Sequence, residues 1–192
     1  MDPGAAVLIP VKSFADAKGR LADALSPDDR AALAEAMATT VVRAASPLPV
    51  VVVCDSEAVR TWAEGVGARV LWTPGLGLNG AVEAGIEDLR DHGIDTAVVA
   101  HSDLPLATGF GWLVDYEGVT IVPDRHLDGT NVICVPTGAG FEFAYGPASF
   151  THHRAEARRL GLTARIITDE ALSWDVDQPA DLDYPTHLLE KT

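Results

Sequence analysis

The sequence predicts an α/β fold in which a mostly parallel sheet is covered by helices on both faces. Three observations carry this. Short apolar runs rich in β-branched residues recur along the chain at strand length. Longer amphipathic runs with helical spacing lie between them, and three of these close on glycine. Nothing in the 192 residues reads as a repeat, a linker or a low-complexity segment. One domain spanning 1–192 is therefore expected, at a length where roughly 70% of the unfolded surface is hidden on folding without staples.

The elements follow in order. "AAVLIPV" (5–11) is the first predicted strand. "SPDDRAALAEAMATTVVRAA" is the first helix, with Ser26 or Asp28 as its cap. The strand runs "VVVVCD" (50–55) and "ARVLW" (68–72) flank the helical "SEAVRTWAEGVG". "NGAVEAGIEDLRDHG" then leads to the strand "DTAVVAHSD" (95–103). Alternation of this kind implies parallel strands joined by helical crossovers. After residue 119 the pattern changes. "VTIVPD" (119–124) and "NVICVP" (131–136) follow one another directly, which suggests a hairpin or a mixed edge, before the helical "SFTHHRAEARRLG" and a last strand, "ARIIT" (164–168).

Composition narrows the function. With 47% hydrophobic and 22% charged residues the chain reads as a soluble globular protein. A formal net charge of −14 argues against nucleic acid and anionic membranes as partners, because both need a basic field. The three lysines are Lys12, Lys18 and Lys191, and two of them fall in the first eighteen residues. A local basic patch in an acidic chain suggests a small anionic ligand. Cys54 and Cys134 sit singly in β-branched runs and read as core thiols of a reducing compartment rather than as a disulfide. No basic n-region with an apolar h-region opens the chain, and no run approaches the ~20 apolar residues a bilayer needs, so the cytoplasm is expected.

In open α/β sheets ligands bind beyond the carboxyl ends of the strands, and four places, the last made of two segments, offer polar residues there. "PVKSFADAKGRL" places Lys12, Lys18 and Arg20 around a short loop suited to phosphates, or simply to solvent, and it lacks both the G-x-x-x-x-G-K-[ST] and the G-x-G-x-x-G patterns. "SDLP" ends a predicted buried strand, so Asp103 either projects into the cleft or caps a turn before Pro105. "SWDVDQPADL" sets Asp175 and Asp177 on one face if extended, with Cα atoms roughly 6.5–7 Å apart. Asp177 could instead cap a helix beginning near Pro179. Together with Asp103, the pair could converge on a hard divalent cation such as Mg2+. "DGTNVI" and "YGPAS" supply the hydroxyls of Thr130 and Ser149, and glycines (Gly129, Gly146) that let backbone N–H groups approach an anion. "GLGLNGAVEAG" (75–85) could lay backbone against a nucleoside or form only a turn. His101 reads as a satisfied strand-end residue, and no Ser-His-Asp or Cys-His nucleophile is evident.

In this order, "PVKSFADAKGRL", "GLN", "SDLP", "PDRHLDGTN", "YGPAS" and "DVDQPADL" resemble the guanylyltransferase family that activates 2-phospho-L-lactate or phosphoenolpyruvate in coenzyme F-420 biosynthesis. The P-V-K-x5-K-x-R-L opening and the D-V-D-x-P-x-D-L ending are the most specific pieces. The resemblance implies a three-layer αβα nucleotidyltransferase fold, related to the nucleotide-sugar transferases. GTP and a phosphorylated three-carbon acid would be the small-molecule partners, Mg2+ the cofactor, and a homodimer is left open. By position, Asp103, Asp175 and Asp177 would hold Mg2+, and Lys12 and Lys18, with Arg20, would meet the nucleotide's phosphates. Thr130, Gly146 and Ser149 would hold the phosphoacid, and Asn79 and Gly80 would contact guanosine. Relatives often read F-G-P-G-S where this chain has Tyr145-Gly146-Pro147-Ala148-Ser149, and an alanine is penalised if position 148 needs positive φ. Two rival readings are a transferase for a molybdopterin or sugar phosphate, against which the missing G-G-x-x-x-R-M-G-type loop argues, and a non-catalytic nucleotide-binding protein on the same fold.

Overall fold

A computed structural model describes residues 4–185; Lys191 lies outside them. Seven strands form one sheet in the order β3-β2-β1-β4-β6-β5-β7. Their ranges are β1 Ala5–Pro10, β2 Val50–Cys54, β3 Arg69–Trp72, β4 Thr96–Ala100, β5 Val119–Pro123, β6 Thr130–Pro136 and β7 Ala164–Ile166. The four α-helices are α1 Pro27–Ala44, α2 Glu57–Gly65, α3 Gly77–Asp91 and α4 Ser149–Arg159. Ser26 proves to be the cap of α1, its hydroxyl accepting from the Asp29 amide.

Strand β1 pairs in parallel with both β2 and β4. The hairpin expected after residue 119 is β5–β6, and β6 is also antiparallel to β4. β6 is thus the reversed strand of the sheet, while β7 returns parallel to β5. Its reversal has a consequence for the site: the first residues of β6, Thr130 and Asn131, lie at the same edge as the last residues of β1 and β4. The chain leaves β1 toward β2 on one side and comes back to β4 on the other, so the crevice between β1 and β4 is a topological switch point.

Alternate residues of each strand feed separate cores. Val7 and Ile9 pack with α1 and α2 residues such as Val41 and Val59, whereas Ala6 and Leu8 pack with Val82, Ile86 and Phe150 of α3 and α4. Every one of these nine strand and helix side chains except Ala6, Ile86 and Phe150 is wholly buried, as expected for strands covered on both faces. Gly85 marks how closely α3 lies on the sheet, since a Cβ there would meet the Leu8 methyls at 2.6 Å. Cys54 and Cys134 are buried free thiols, and burial pushes Cys134 up to about 12. No helix among the described residues is long and apolar enough to cross a membrane.

A smaller cluster matters more for function. Leu21, Met37 and Val176 are buried together, with Leu25, Trp174, Leu182 and Tyr184 against them. This apolar contact ties the loop after β1 to the carboxy-terminal acidic segment, two pieces of chain about 155 residues apart. It also explains the alternation in Asp175-Val176-Asp177: the valine is the inward anchor that turns both carboxylates the other way.

Candidate active site

A cleft of about 600 Å³ opens at the carboxyl edge of the sheet. Its walls include Lys12, Lys18 and Arg20 from the loop after β1, and Asp103 just past β4. Thr130 and Asn131 come from the start of β6, Gly146 and Ser149 from the entry to α4, and Asp175 and Asp177 from the carboxy-terminal segment. Five segments spread over most of the sequence therefore meet where the fold predicts a ligand.

The basic loop reaches directly across to the acidic side chains. Lys18 adopts a left-handed conformation (φ 57°), and its Nζ lies 2.6 Å from Asp103 Oδ2 and 3.3 Å from Asp177 Oδ1. Arg20 reaches the second Asp177 oxygen at 3.3 Å. Burial works against both charges of the Lys18–Asp103 pair, but the attraction and hydrogen bond between them prevail, raising the lysine's pKa and lowering the aspartate's. Lys12 is exposed on the wall and makes no hydrogen bond or ion pair within the described residues.

The acidic segment is held from behind. Val176 N–H donates to the Asp103 carbonyl at 3.3 Å. Arg125 donates to the Asp175 carbonyl at 3.0 Å, binds the Asp181 carboxylate and lies over the Trp174 ring at 4.3 Å. The expectation that Asp177 might cap a helix at Pro179 is corrected. A short 3₁₀ turn does begin there, but Gln178 is its cap, with Asp181 accepting from the Gln178 and Asp177 amides. Asp177 is left to the cations. Burial, then the neighbouring Asp103 and Asp177 carboxylates, push Asp175 above the usual carboxylate range, despite a hydrogen bond from Asn131 at 3.3 Å.

The donor set suits a hard divalent cation in chemistry. All candidates are carboxylate oxygens, Asp103 Oδ1 is buried without a hydrogen-bond partner, and Asp175 is held in an environment that disfavours its charge. Asp124 and Asp128 bring the acidic residues of the cleft to five, against three cations. As placed, the Lys18 ammonium occupies the space between Asp103 and Asp177. Among the described residues no three acidic, histidine or cysteine side chains form a ready-made metal cage.

The opposite wall carries the Asp124 and Asp128 carboxylates, both turned to backbone amides, and its other polar groups are neutral. Asp124 accepts from the amides of His126, Asp128 and Gly129 at 2.8–3.0 Å, folding the β5–β6 connection into a tight loop. Gly129 is required there, since a Cβ would come within 2.8 Å of Asp124 Oδ2. Asp128 receives the amides of Ala148 and Phe150, which docks the start of α4 on this loop. Thr130 N–H donates to Ser149 Oγ at 3.0 Å, and His153 of α4 contacts Thr130 Oγ1 at 3.0 Å. Burial pushes His153 down to about 4, so its ring is neutral at ordinary pH. Ala148 does take positive φ, 57°.

Some expected residues are elsewhere. Asn79 and Gly80 do not line the cleft, although Leu78 does. The Asn79 carboxamide is engaged with the Tyr145 backbone, accepting its N–H at 2.7 Å and donating to its carbonyl at 3.4 Å. His101 departs from the satisfied strand-end residue the sequence predicts: its amide is paired with the Asn131 carbonyl, but Nε2 is buried without a partner, as is the Tyr145 hydroxyl beside it. Arg125, Asn131 and His153 were missed. Arg125 lies within "PDRHLDGTN" but carries no signal of its own, and the contacts of all three cross 23 residues or more.

Known proteins agree with this geometry. The family described as "Guanylyl transferase CofC like" matches residues 5–185. A phosphoenolpyruvate guanylyltransferase of Conexibacter woesei is 37% identical, over 95% of this chain and 87% of its own. A 2-phospho-L-lactate guanylyltransferase of Methanothermobacter thermautotrophicus is 33% identical, over 91% and 81%. A solved chain of Desulfovibrio desulfuricans named for nucleotide-diphospho-sugar transfer shares the fold, with a TM-score of 0.73 at 17% identity over 94% and 85% of the two chains. A matching sheet, a cleft at its switch point and a family match running almost end to end converge on one conclusion: the chain belongs to the CofC-like guanylyl transferase family.

Proposed function

We propose that this protein transfers the guanylyl group of GTP to the phosphate of phosphoenolpyruvate, releasing pyrophosphate, as a step of coenzyme F-420 biosynthesis. The observation that supports this is the pairing of unlike walls: a side of ion-paired basic and acidic groups suited to a metal-borne triphosphate faces a side whose two carboxylates are taken up by backbone amides and whose hydroxyls suit a small anionic acid. The relative from Conexibacter woesei favours phosphoenolpyruvate, and the one from Methanothermobacter thermautotrophicus keeps 2-phospho-L-lactate as the second reading.

In the proposed reaction an oxygen of the acid's phosphate attacks the α-phosphorus of GTP. The bond from that phosphorus to the β-phosphate oxygen breaks, and the electron pair leaves with pyrophosphate. A phosphomonoester with a second pKa near ~6 is largely ionised at neutral pH, so the reaction needs no general base. The difficulty is bringing two polyanions together. Lys12, Lys18 and Arg20 bind the triphosphate and orient it for in-line attack. The Thr130 and Ser149 hydroxyls, with the Gly146 amide, hold the acid. Asp103, Asp175 and Asp177 would hold Mg2+, which when bound supplies the positive charge that offsets the phosphates and the acidic wall. Val176 and Arg125 keep two of those carboxylates aimed at the cleft.

The deciding experiment measures pyrophosphate release from GTP and Mg2+ with each acid supplied separately and a no-acceptor control. It is repeated with the next transferase of the pathway present to draw off a labile product. Release with phosphoenolpyruvate is expected. Release with 2-phospho-L-lactate alone would change the acceptor, and silence with both would remove the proposal.

A further inference from the structure

Behind Thr130 lies a histidine that the phosphoryl chemistry itself does not call for. His153 is wholly buried on the inner side of α4, among the rings of Phe141, Phe143 and Tyr145. Its two ring nitrogens have different partners, and these fix its proton. Nε2 is 3.1 Å from the Ala144 backbone nitrogen, and a backbone amide can only donate. Nε2 is therefore the acceptor, and the neutral ring carries its single proton on Nδ1. Nδ1 is 3.0 Å from Thr130 Oγ1, so the histidine donates and the threonine oxygen accepts. Thr130 has one hydroxyl proton of its own, and no acceptor for it occurs among the described residues.

We propose that His153 is a positioning residue for the acid: by donating to Thr130 Oγ1 it commits the threonine hydroxyl proton to the cleft, where that proton is given to the bound anion. The role rests on the guanylyl-transfer reading of the same cleft. Ser149 is set in a parallel way, because its Oγ accepts the Thr130 N–H at 3.0 Å and its own proton remains for the ligand. Two neighbouring hydroxyls whose oxygens are engaged from the protein side present protons to the other side. That arrangement recognises an anionic acceptor without adding a cation to compete for the triphosphate. The Ala144 contact closes the device, because it holds the ring in the tautomer that can donate to threonine.

The test separates the two nitrogens. In His153→Asn the carboxamide nitrogen can take the place of Nδ1 and still donate to Thr130. In His153→Gln the longer side chain reaches the Nε2 position and serves Ala144 instead. His153→Gln is expected to raise KM for the acid about tenfold while KM for GTP stays within about twofold, the loss typical of one hydrogen bond to a charged group. His153→Asn should recover most of that loss, and in a Thr130→Val background the difference between the two should vanish. Nitrogen-15 spectra of the wild-type protein should show His153 protonated at Nδ1 and not at Nε2, a readout that no folding defect imitates. The opposite tautomer, equal effects of Asn and Gln, or a KM for GTP rising in step would each overturn the role. A wild-type protein silent with both acids would remove the guanylyl-transfer reading and this role with it. A wild type that turns over while the two variants behave alike would remove the role alone.

Discussion

The two walls of the cleft are built on different physics. On one side Lys18, Arg20, Asp103 and Asp177 hold one another by charge, with Asp175 and Lys12 on the same wall. On the other, Thr130, Ser149 and His153 are joined by buried hydrogen bonds between neutral groups, and the Asp124 carboxylate is tied to backbone amides of its own loop. A charged wall rearranges with the ions it meets, because its side chains choose partners by the local field. A hydrogen-bonded wall, fixed through backbone amides and one tautomer, keeps its shape. Under the proposed function the difference would divide the tasks: the charged side would take up and neutralise the mobile polyanion, and the hydrogen-bonded side would be preorganised for a small, fixed one.

The largest expected effect breaks the charged wall at its centre. Asp103→Asn should lower pyrophosphate release by about a hundredfold or more, on the scale of losing a key electrostatic group in an active site. The fold should survive, since Val176 binds the Asp103 main-chain carbonyl and not the side chain, and Lys18 keeps Asp177 as a partner. Circular dichroism beside the rate assay separates these outcomes. Near-wild-type turnover would mean that the carboxylate is only a counter-ion for Lys18.

A second variant sharpens the same contrast through stability. Burial, then the Asp103 and Asp177 carboxylates, hold the Asp175 pKa above its ordinary value. A carboxyl with a raised folded pKa is more easily ionised in the unfolded chain, so its charge destabilises the fold. That penalty is absent at pH below the unfolded pKa, grows as pH rises, and is complete above the folded pKa. Asp175→Asn should therefore melt higher than wild type at neutral pH, by roughly 2–4 °C for a chain of this size, and the gain should disappear in acid. Added Mg2+ should narrow or reverse the ranking, because a bound cation stabilises only the protein that holds it well. A variant that melts lower at neutral pH without metal would show Asn131 and Arg125 to be net stabilisers of the charge. Turnover should be lost in either case.

The charged wall was legible in the sequence and the hydrogen-bonded wall was only half so. Lysines are rare in this chain, and Asp-Val-Asp is an unusual alternation, so both announced themselves. Short β-branched runs and helical patterns marked the seven strands and four helices of the described residues within a few residues, because the central strands bury both faces and read as continuous apolar runs, while the edge strands β3 and β7 are only partly covered. What sequence could not supply was the partner of each polar group. Asn79 resembled a base-reading residue by position, yet its carboxamide pairs with a backbone 66 residues away. His153 stands beside His152 with no spacing that marks a site, and its tautomer depends on Ala144, in a loop whose path no local pattern encodes. Arg125 acts on Asp175 and Asp181 only once the carboxy-terminal segment has folded back over it.

The smallest effect concerns the hinge between the walls and the helix that carries His153. Ala148 is the residue before α4 and sits at φ 57°, ψ 24°. A Cβ in the left-handed region crowds the following carbonyl at about 1–2 kcal/mol. Replacing it with glycine removes that strain but gives the unfolded chain more freedom, a loss of about 0.4–1 kcal/mol. The balance favours Ala148→Gly by about 0.5–1 kcal/mol, or roughly 2–3 °C in Tm. The Ala148 amide already donates to Asp128 at 3.3 Å and its carbonyl accepts from His152 at 3.1 Å, so the turn has its hydrogen bonds whichever residue stands there. The strain is then a local cost of the side chain and not of the loop's course. A variant that melts lower would reverse this, making the alanine methyl a contact that holds α4, and with it the Thr130–His153 pair, in place.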